Sequence, residues 1–326
     1  MKRFQDPPVS DHFKEGRFFV PWLDQNIVRV SIKNLLKWRM GSSNIPWPKE
    51  VPADFVIKQF PSEDQKNFIQ FVNHSTVLMD VDGIRLITDP LFSDRAGPKN
   101  MLGPRRAHAL PFLPQDLGRL DFVLLSHNHY DHFDAKALQN LSSLFPHLHF
   151  IVPHSNGPYL KEIGIRKDQI TELDWWESVK VKGINVSLAP AQHWSRRNFR
   201  DRNFALWGSF VVECSKTHRK IYFAGDSGYG PHFKEIQKKW DFFDLSLIPV
   251  GAYEPRWFMK YSHMNPEEAV RAHLDLNSKK SIGIHHSCFK LTDEAWDDPK
   301  KDLFKALEKC NLNKNHFLYP KPGEIF

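Results

Sequence analysis

Ser126-His127-Asn128-His129-Tyr130-Asp131-His132-Phe133-Asp134 follows directly on the apolar run 122–125, and this strand-to-loop junction decides how the rest of the chain reads. Histidines two apart on an extended loop project their rings to one side. Asp131 and His132 then fall at the turn into a helix, adding a carboxylate and a third imidazole nearby. With 17 His in 326 residues, three named positions are all His by chance about once in ~7,000 placements, so a solvated polar turn does not explain the loop. Imidazole and carboxylate together suit zinc, and also manganese or iron. One loop does not complete two metal sites, so further donors must come from other strand ends. His193 in Pro190-Ala191-Gln192-His193-Trp194 lies just past a β-like run. Asp226 lies in Phe223-Ala224-Gly225-Asp226-Ser227-Gly228, where small neighbours let the backbone approach a crowded site. His285 ends Ser281-Ile282-Gly283-Ile284-His285, and strand alternation sends His286 to the opposite face. The twelve other histidines, His12, His147 and His218 among them, read mostly as surface or packing residues.

Short β-like runs surround these donors at 76–80, 84–88, 122–125, 149–152, 184–188, 209–214, 220–224, 245–249 and 281–285. Helix patterns lie between several of them, at 134–144, 233–239, 266–274 and 300–310. The helix at 266 has a clean start, with Asn265 as cap, Pro266 in first position and Glu267-Glu268 behind it. Strands in hairpin-like pairs, as well as strands alternating with helices, predict an α/β fold of two packed sheets with helices outside.

Residues 1–65 have a different texture, rich in Pro, Trp and charge, and read as an N-terminal extension before a catalytic domain at 66–326. Asn44-Ile45-Pro46-Trp47-Pro48 reads as extended or turning chain. Within the extension, 27–40 places Arg29, Lys33 and Lys37 on one helix face and Val28, Ile32, Leu35 and Leu36 on another. That segment either packs its apolar face on the core or contacts a membrane surface with Trp38 at the interface. The first fifty residues carry nine Lys and Arg against five Asp and Glu, within a net charge of +7 for the chain. No basic run or nucleic-acid motif accompanies this excess, so nucleic acid is not the expected partner. Three scattered cysteines, Cys214, Cys288 and Cys310, indicate a reducing compartment. The polar start and the lack of a membrane-length apolar stretch predict a cytoplasmic protein, with peripheral membrane contact through 27–40 as a further expectation.

His127-Asn128-His129-Tyr130-Asp131-His132, with His193, Asp226 and His285, resembles the five-motif pattern of the metallo-β-lactamase superfamily. Within it the chain is similar to the phospholipase D branch that hydrolyses N-acylphosphatidylethanolamines. The likeness extends through Thr88-Asp89-Pro90-Leu91-Phe92-Ser93-Asp94-Arg95-Ala96, Gly251-Ala252-Tyr253-Glu254-Pro255-Arg256-Trp257-Phe258-Met259 and His263-Met264-Asn265-Pro266-Glu267-Glu268. It covers roughly residues 70–300. The resemblance implies a four-layer αββα sandwich whose site lies at one edge and holds two divalent ions, with zinc the first choice. His127, His129 and His193 would bind one ion, Asp131, His132 and His285 the other, and Asp226 would bridge them. Two departures stand out: the usual Gly-His before the first strand is Asn73-His74 here, and Pro153-His154-Ser155-Asn156-Gly157 does not follow the pattern. Neither is expected to touch a ligand.

The chemistry implied is hydrolysis of a phosphodiester by a metal-bridging hydroxide that Asp226 orients, without a covalent nucleophile. For the lipid substrate the products would be a phosphatidic acid and an N-acylethanolamine. Asp89 either orients a ligand imidazole or caps the turn before Pro90. His263 either protonates the leaving oxygen or makes a structural hydrogen bond. Tyr130, Trp194, Tyr253 and Arg256 are candidates to line the substrate pocket, with Arg256 suited to phosphate. The rival expectations are a metal-dependent hydrolase of a lactone or small phosphodiester, and a non-catalytic metal-binding scaffold recruited to membranes. A homodimer is compatible with the resemblance, and the residues carry no interface signal of their own.

Overall fold

The computed structural model describes residues 10–24, 32–41, 45–48, 51–62 and 64–326. A two-stranded hairpin, β1 (Phe13–Lys14) and β2 (Arg17–Phe18), opens it. A six-stranded sheet follows in the order β3 (Ile69–Asn73), β4 (Thr76–Val81), β5 (Ile84–Thr88), β6 (Phe122–Leu124), β7 (His149–Pro153) and β8 (Ile170–Leu173). A seven-stranded sheet is built from β9 (Ser178–Val181), β10 (Ile184–Ala189), β11 (Ser209–Cys214), β12 (Lys220–Phe223), β13 (Leu245–Pro249), β14 (Ser281–Ile284) and β15 (Phe317–Leu318), again neighbouring in chain order. Each sheet begins as an antiparallel meander and ends as a parallel run, from β5 onward in the first and from β12 onward in the second.

Strand periodicity explains the layers. Leu86, Phe122 and Leu124 point inward to meet Val186, Phe210, Val212, Phe223, Leu247 and Ile282 of the other sheet. Their neighbours Ile87 and Val123 point outward, under the helix Ala135–Leu144. Val211, Tyr222 and Ile248 do the same on the second sheet, under the helices His232–Trp240, Pro266–Asp275 and Asp298–Lys309. Strands buried on both faces must be apolar nearly throughout, as these are. The result is a four-layer αββα sandwich. Asn265 caps its helix as the sequence predicts, accepting from Glu268 N while the Glu268 carboxylate accepts from Asn265 N, so two otherwise orphaned donors are satisfied. The opening hairpin, β3, β8, β9 and β15 lie outside the predicted strands. β3 is held by β4 and by the C-terminal tail, where Phe71 N donates to Glu324 O at 3.0 Å and Phe326 N to Ile69 O at 2.8 Å, partners that local sequence does not reveal.

The N-terminal residues are woven into the sandwich. Phe18 and Val20 belong to the inter-sheet core, and His12 stacks on Trp175 with Nε2 2.9 Å from Asp174 Oδ1. Of the expected amphipathic segment, 27–31 lies outside the described residues, and a helix runs Ile32–Gly41. Trp38 faces the protein, packing on Phe258 and donating from Nε1 to Asp293 Oδ2 at 2.9 Å, whereas Leu36 and Met40 are 53% and 82% exposed. No helix among the described residues is long and apolar enough to cross a membrane.

Candidate metal centre

The loops after β5, β6, β10, β12 and β14 meet at one rim of the sandwich. After β6 the chain turns sharply before Asp134 caps the helix Ala135–Leu144, its carboxylate accepting from Ala137 N and from the Phe92 and Ser93 amides. This fixes the ligand loop at both ends. His127 Nε2 then lies 2.8 Å from His129 Nδ1, and His193 Nε2 3.1 Å from the same atom. Three ring nitrogens at this spacing are close to the edge of a tetrahedron, about 3.3 Å, that Zn–N bonds of about 2.0–2.1 Å generate. Beside them, Asp226 Oδ2 lies 3.2 Å from His132 Nε2 and 3.3 Å from His285 Nε2, while Asp131 Oδ2 lies 3.6 and 3.5 Å from the same nitrogens. Asp226 Oδ2 is also 3.8 Å from His193 Nε2, so this carboxylate faces both groups.

Electrostatics separate the two groups. Burial holds His127, His129 and His193 well below the usual imidazole range, leaving three neutral rings with lone pairs converging. In the other group burial disfavours every charge, yet the groups stabilise one another. Asp226 and Asp131 outweigh burial and hold His132 well above its usual range, and Asp226 leads in pushing His285 up to about 9. The imidazoles in turn hold Asp131 and Asp226 well below the carboxylate range. Even so, buried His132 Nε2, His285 Nε2 and Asp226 Oδ1 have no hydrogen-bond partner. Buried polar atoms left unpaired are costly. The donor set therefore fits divalent cations: His127, His129 and His193 could hold one, and Asp131, His132, His285 and Asp226 a second.

A surrounding ring of hydrogen bonds aims these donors. His132 Nδ1 donates to Asp89 Oδ2 at 2.6 Å, and Asp89 also accepts from Ser126 Oγ at 2.6 Å and Ser126 N at 2.7 Å. His193 Nδ1 donates to Ser262 O at 3.0 Å. Each bond leaves Nε2 turned inward. Gly225 has φ +58°, and a Cβ there would sit 2.6 Å from Ser126 Cβ, so the step before Asp226 accepts only glycine without displacement. His285 itself has φ +60°, which swings its ring into the site while His286 stacks between Phe71 and Tyr319.

Not every candidate joins the cluster. His263 does, with Nδ1 3.8 Å from Asp226 Oδ2; burial, against the pull of Asp226, lowers it to about 4. Trp194 packs its ring 4.2 Å from that of His129. Tyr130 donates its hydroxyl to Arg197 O at 2.6 Å and lies beneath the Arg197 guanidinium. Tyr253 is turned away, donating to Asp302 Oδ2 at 2.7 Å. Arg256 is committed to Glu268 at 2.6 Å and to the His263 carbonyl at 2.9 Å, so its charge supports the chain around His263 and is not free for phosphate. The largest correction is His74. Expected to touch no ligand, it lies with Nε2 3.2 Å from Asp131 Oδ2, packs at a tilt with ring centroids 4.0 Å from His285, and accepts the His285 N–H on its carbonyl at 2.7 Å. The Asn73-His74 pair before β4 was the available signal; only the packing of the two sheets gives it a partner.

Known proteins resemble this chain in sequence and in fold. The β-lactamase superfamily domain matches residues 84–286. The chain is 39% identical to the N-acyl-phosphatidylethanolamine-hydrolyzing phospholipase D 1 of Caenorhabditis elegans, over 96% of this chain and 92% of that one. It is 37% identical to the mitochondrial N-acyl-phosphatidylethanolamine-hydrolyzing phospholipase D of Saccharomyces cerevisiae, over 68% of this chain and 48% of the relative. Among solved structures, the metallo hydrolase Igni18 of Ignicoccus hospitalis shares the fold with a TM-score of 0.59, at 19% identity over 79% of this chain and 97% of that one.

Proposed function

The chain belongs to the β-lactamase superfamily and is a metal-dependent hydrolase, and from that premise we propose that it is a binuclear phosphodiesterase cleaving N-acylphosphatidylethanolamine to phosphatidic acid and N-acylethanolamine. The observation that carries the reading is the convergence of His127, His129, His193, Asp131, His132, His285 and Asp226 on two adjoining positions, with Asp226 Oδ2 between them. The substrate comes from the likeness to the nematode and yeast enzymes. Two divalent ions, zinc by preference, would supply an acidified water and offset charge on the phosphoryl oxygens. The protein's own part is to hold and aim. Asp226 fixes the attacking water by hydrogen bond. Asp89 and Ser262 lock the tautomers of His132 and His193. His263, adjacent to Asp226 and without a hydrogen-bond partner at Nδ1, is neutral at rest, takes up the proton that the attacking water releases and passes it to the leaving oxygen. Trp194, over His129, lines the approach.

The test is turnover of N-acylphosphatidylethanolamine and of bis-p-nitrophenyl phosphate, with and without chelator, beside elemental analysis. Chelator-sensitive cleavage of both is the expected result. No chelator-sensitive cleavage of either would overturn the phosphodiesterase reading, and cleavage of the soluble ester alone would overturn the lipid assignment.

A further inference from the structure

Trp194-Ser195-Arg196-Arg197-Asn198-Phe199-Arg200-Asp201-Arg202 continues the loop after β10, directly beyond His193. It is tightly built. Asp201, buried, accepts from Arg197 N at 3.0 Å, Asn198 N at 2.8 Å, Asn198 Nδ2 at 2.6 Å and Tyr159 Oη at 2.9 Å. Arg196 N donates to Asn128 Oδ1 at 2.9 Å, inside the ligand loop. On this anchored frame Phe199 is 94% exposed. The Arg196 guanidinium lies 5.3 Å from its ring centroid. An ordered loop that presents a phenyl ring wholly to water forgoes its burial unless something else covers it.

The exposed charges that flank that ring in sequence are of one sign. The sole acidic residue of the loop, Asp201, points inward, whereas Arg196, Arg200 and Arg202 surround Phe199 in sequence. Arg202 lies over Trp194, 4.2 Å from the ring, and Trp194 lies against His129. Burial first, and then the fields of Arg196 and Arg17, push Arg202 down to about 10. Cations crowded together in this way favour an anionic surface opposite them. Resting on the phosphodiesterase reading, which makes substrate and product anionic lipids, we propose that the 196–202 loop is the membrane foot of the enzyme: Phe199 enters an anionic bilayer while Arg196 and Arg200 meet lipid phosphates, setting the bilayer beside His129 and His193. The arrangement differs from a contact through 27–40, because it couples the lipid surface directly to the ligand loop through Asn128 and Trp194.

The test uses the full chain with vesicles of phosphatidylcholine, with or without 30–40% phosphatidylglycerol as an order-of-magnitude loading, neither lipid being a substrate. Wild type is expected to sediment with the anionic vesicles and to be released by raised salt. Phe199→Ala should weaken the partition about tenfold, and Arg196→Ala/Arg200→Ala about 25-fold, at roughly fivefold per arginine. Leu36→Ala/Met40→Ala, on the exposed face of helix 32–41, should leave it unchanged. Thermal midpoints and gel filtration accompany each variant. Equal binding by wild type and the loop variants would overturn the proposal, as would loss of binding only in the helix variant. A change of oligomeric state in Phe199→Ala with vesicle binding retained would overturn it in favour of a second copy of the chain. Because the vesicles contain no substrate, failure here is separate from failure to cleave N-acylphosphatidylethanolamine, which bears on the reaction alone.

Discussion

His74→Ala tests whether the β3–β4 turn sets the second metal position. The imidazole lies 3.2 Å from Asp131 Oδ2 and packs on His285, at 2% exposure. Burial holds His74 down to about 3, so the ring is neutral and its Nε2–H can donate to the carboxylate. A hydrogen bond to a charged acceptor contributes about 1.5–3 kcal/mol, which converts to roughly 10- to 150-fold in affinity at the site Asp131 serves. Outer hydrogen bonds to metal ligands typically act in the same range, about 10- to 100-fold. Truncation leaves the His74 carbonyl in place, so the bond from His285 N at 2.7 Å survives and the backbone should hold. The assay is metal titration of the apoprotein against a chromophoric chelator, with thermal unfolding measured in parallel. The expected result is one site of unchanged affinity and one weakened 10- to 100-fold, with partial recovery in His74→Gln, whose amide can still donate. Two sites of wild-type affinity would refute the reasoning. So would equal weakening of both sites with no recovery in the glutamine variant, which would mark His74 as packing.

Asp89→Asn keeps the shape but removes the charge that accepts His132 Nδ1 and Ser126 Oγ; second-site affinity should fall about 10- to 100-fold, measured by the same titration. Gly225→Ala places a methyl 2.6 Å from Ser126 Cβ at φ +58° and should cost about 1–3 kcal/mol in urea unfolding, with metal content reduced; an unchanged midpoint would contradict it. His232, wholly buried against Trp22, is lowered by burial to about 3. Its unfolded form gains a proton as pH falls through about 6.5 while the folded form does not, so stability is full above that pH and lost below it. The loss between pH 7 and 5.5 is about 1.2 kcal/mol. His232→Phe should lack this increment when the two are compared by urea unfolding at both pH values, and an identical acid loss in the variant would refute it.

Local sequence determined most of the strands, the helix start at Asn265 and the gathering of imidazole and carboxylate donors in residues 127–132, because each follows from neighbours within one element: alternation, a cap, imidazoles two apart. Gly225 was legible for the same reason, whereas β14 ends at Ile284 and His285 turns into the site through its φ of +60°. Tertiary structure decided which side chains meet. His74 gained its role because the β3–β4 turn packs over β14, more than two hundred residues away in the chain. Arg256, suited to phosphate by its chemistry, was claimed by Glu268 and a carbonyl. Tyr253 was claimed by Asp302. Trp38 turned inward and Leu36 outward because Phe258 and Asp293 offered the indole a surface and an acceptor. Ligand type is a property of the residue and its near neighbours; availability of a side chain depends on every group that folding brings within about 3 Å of it.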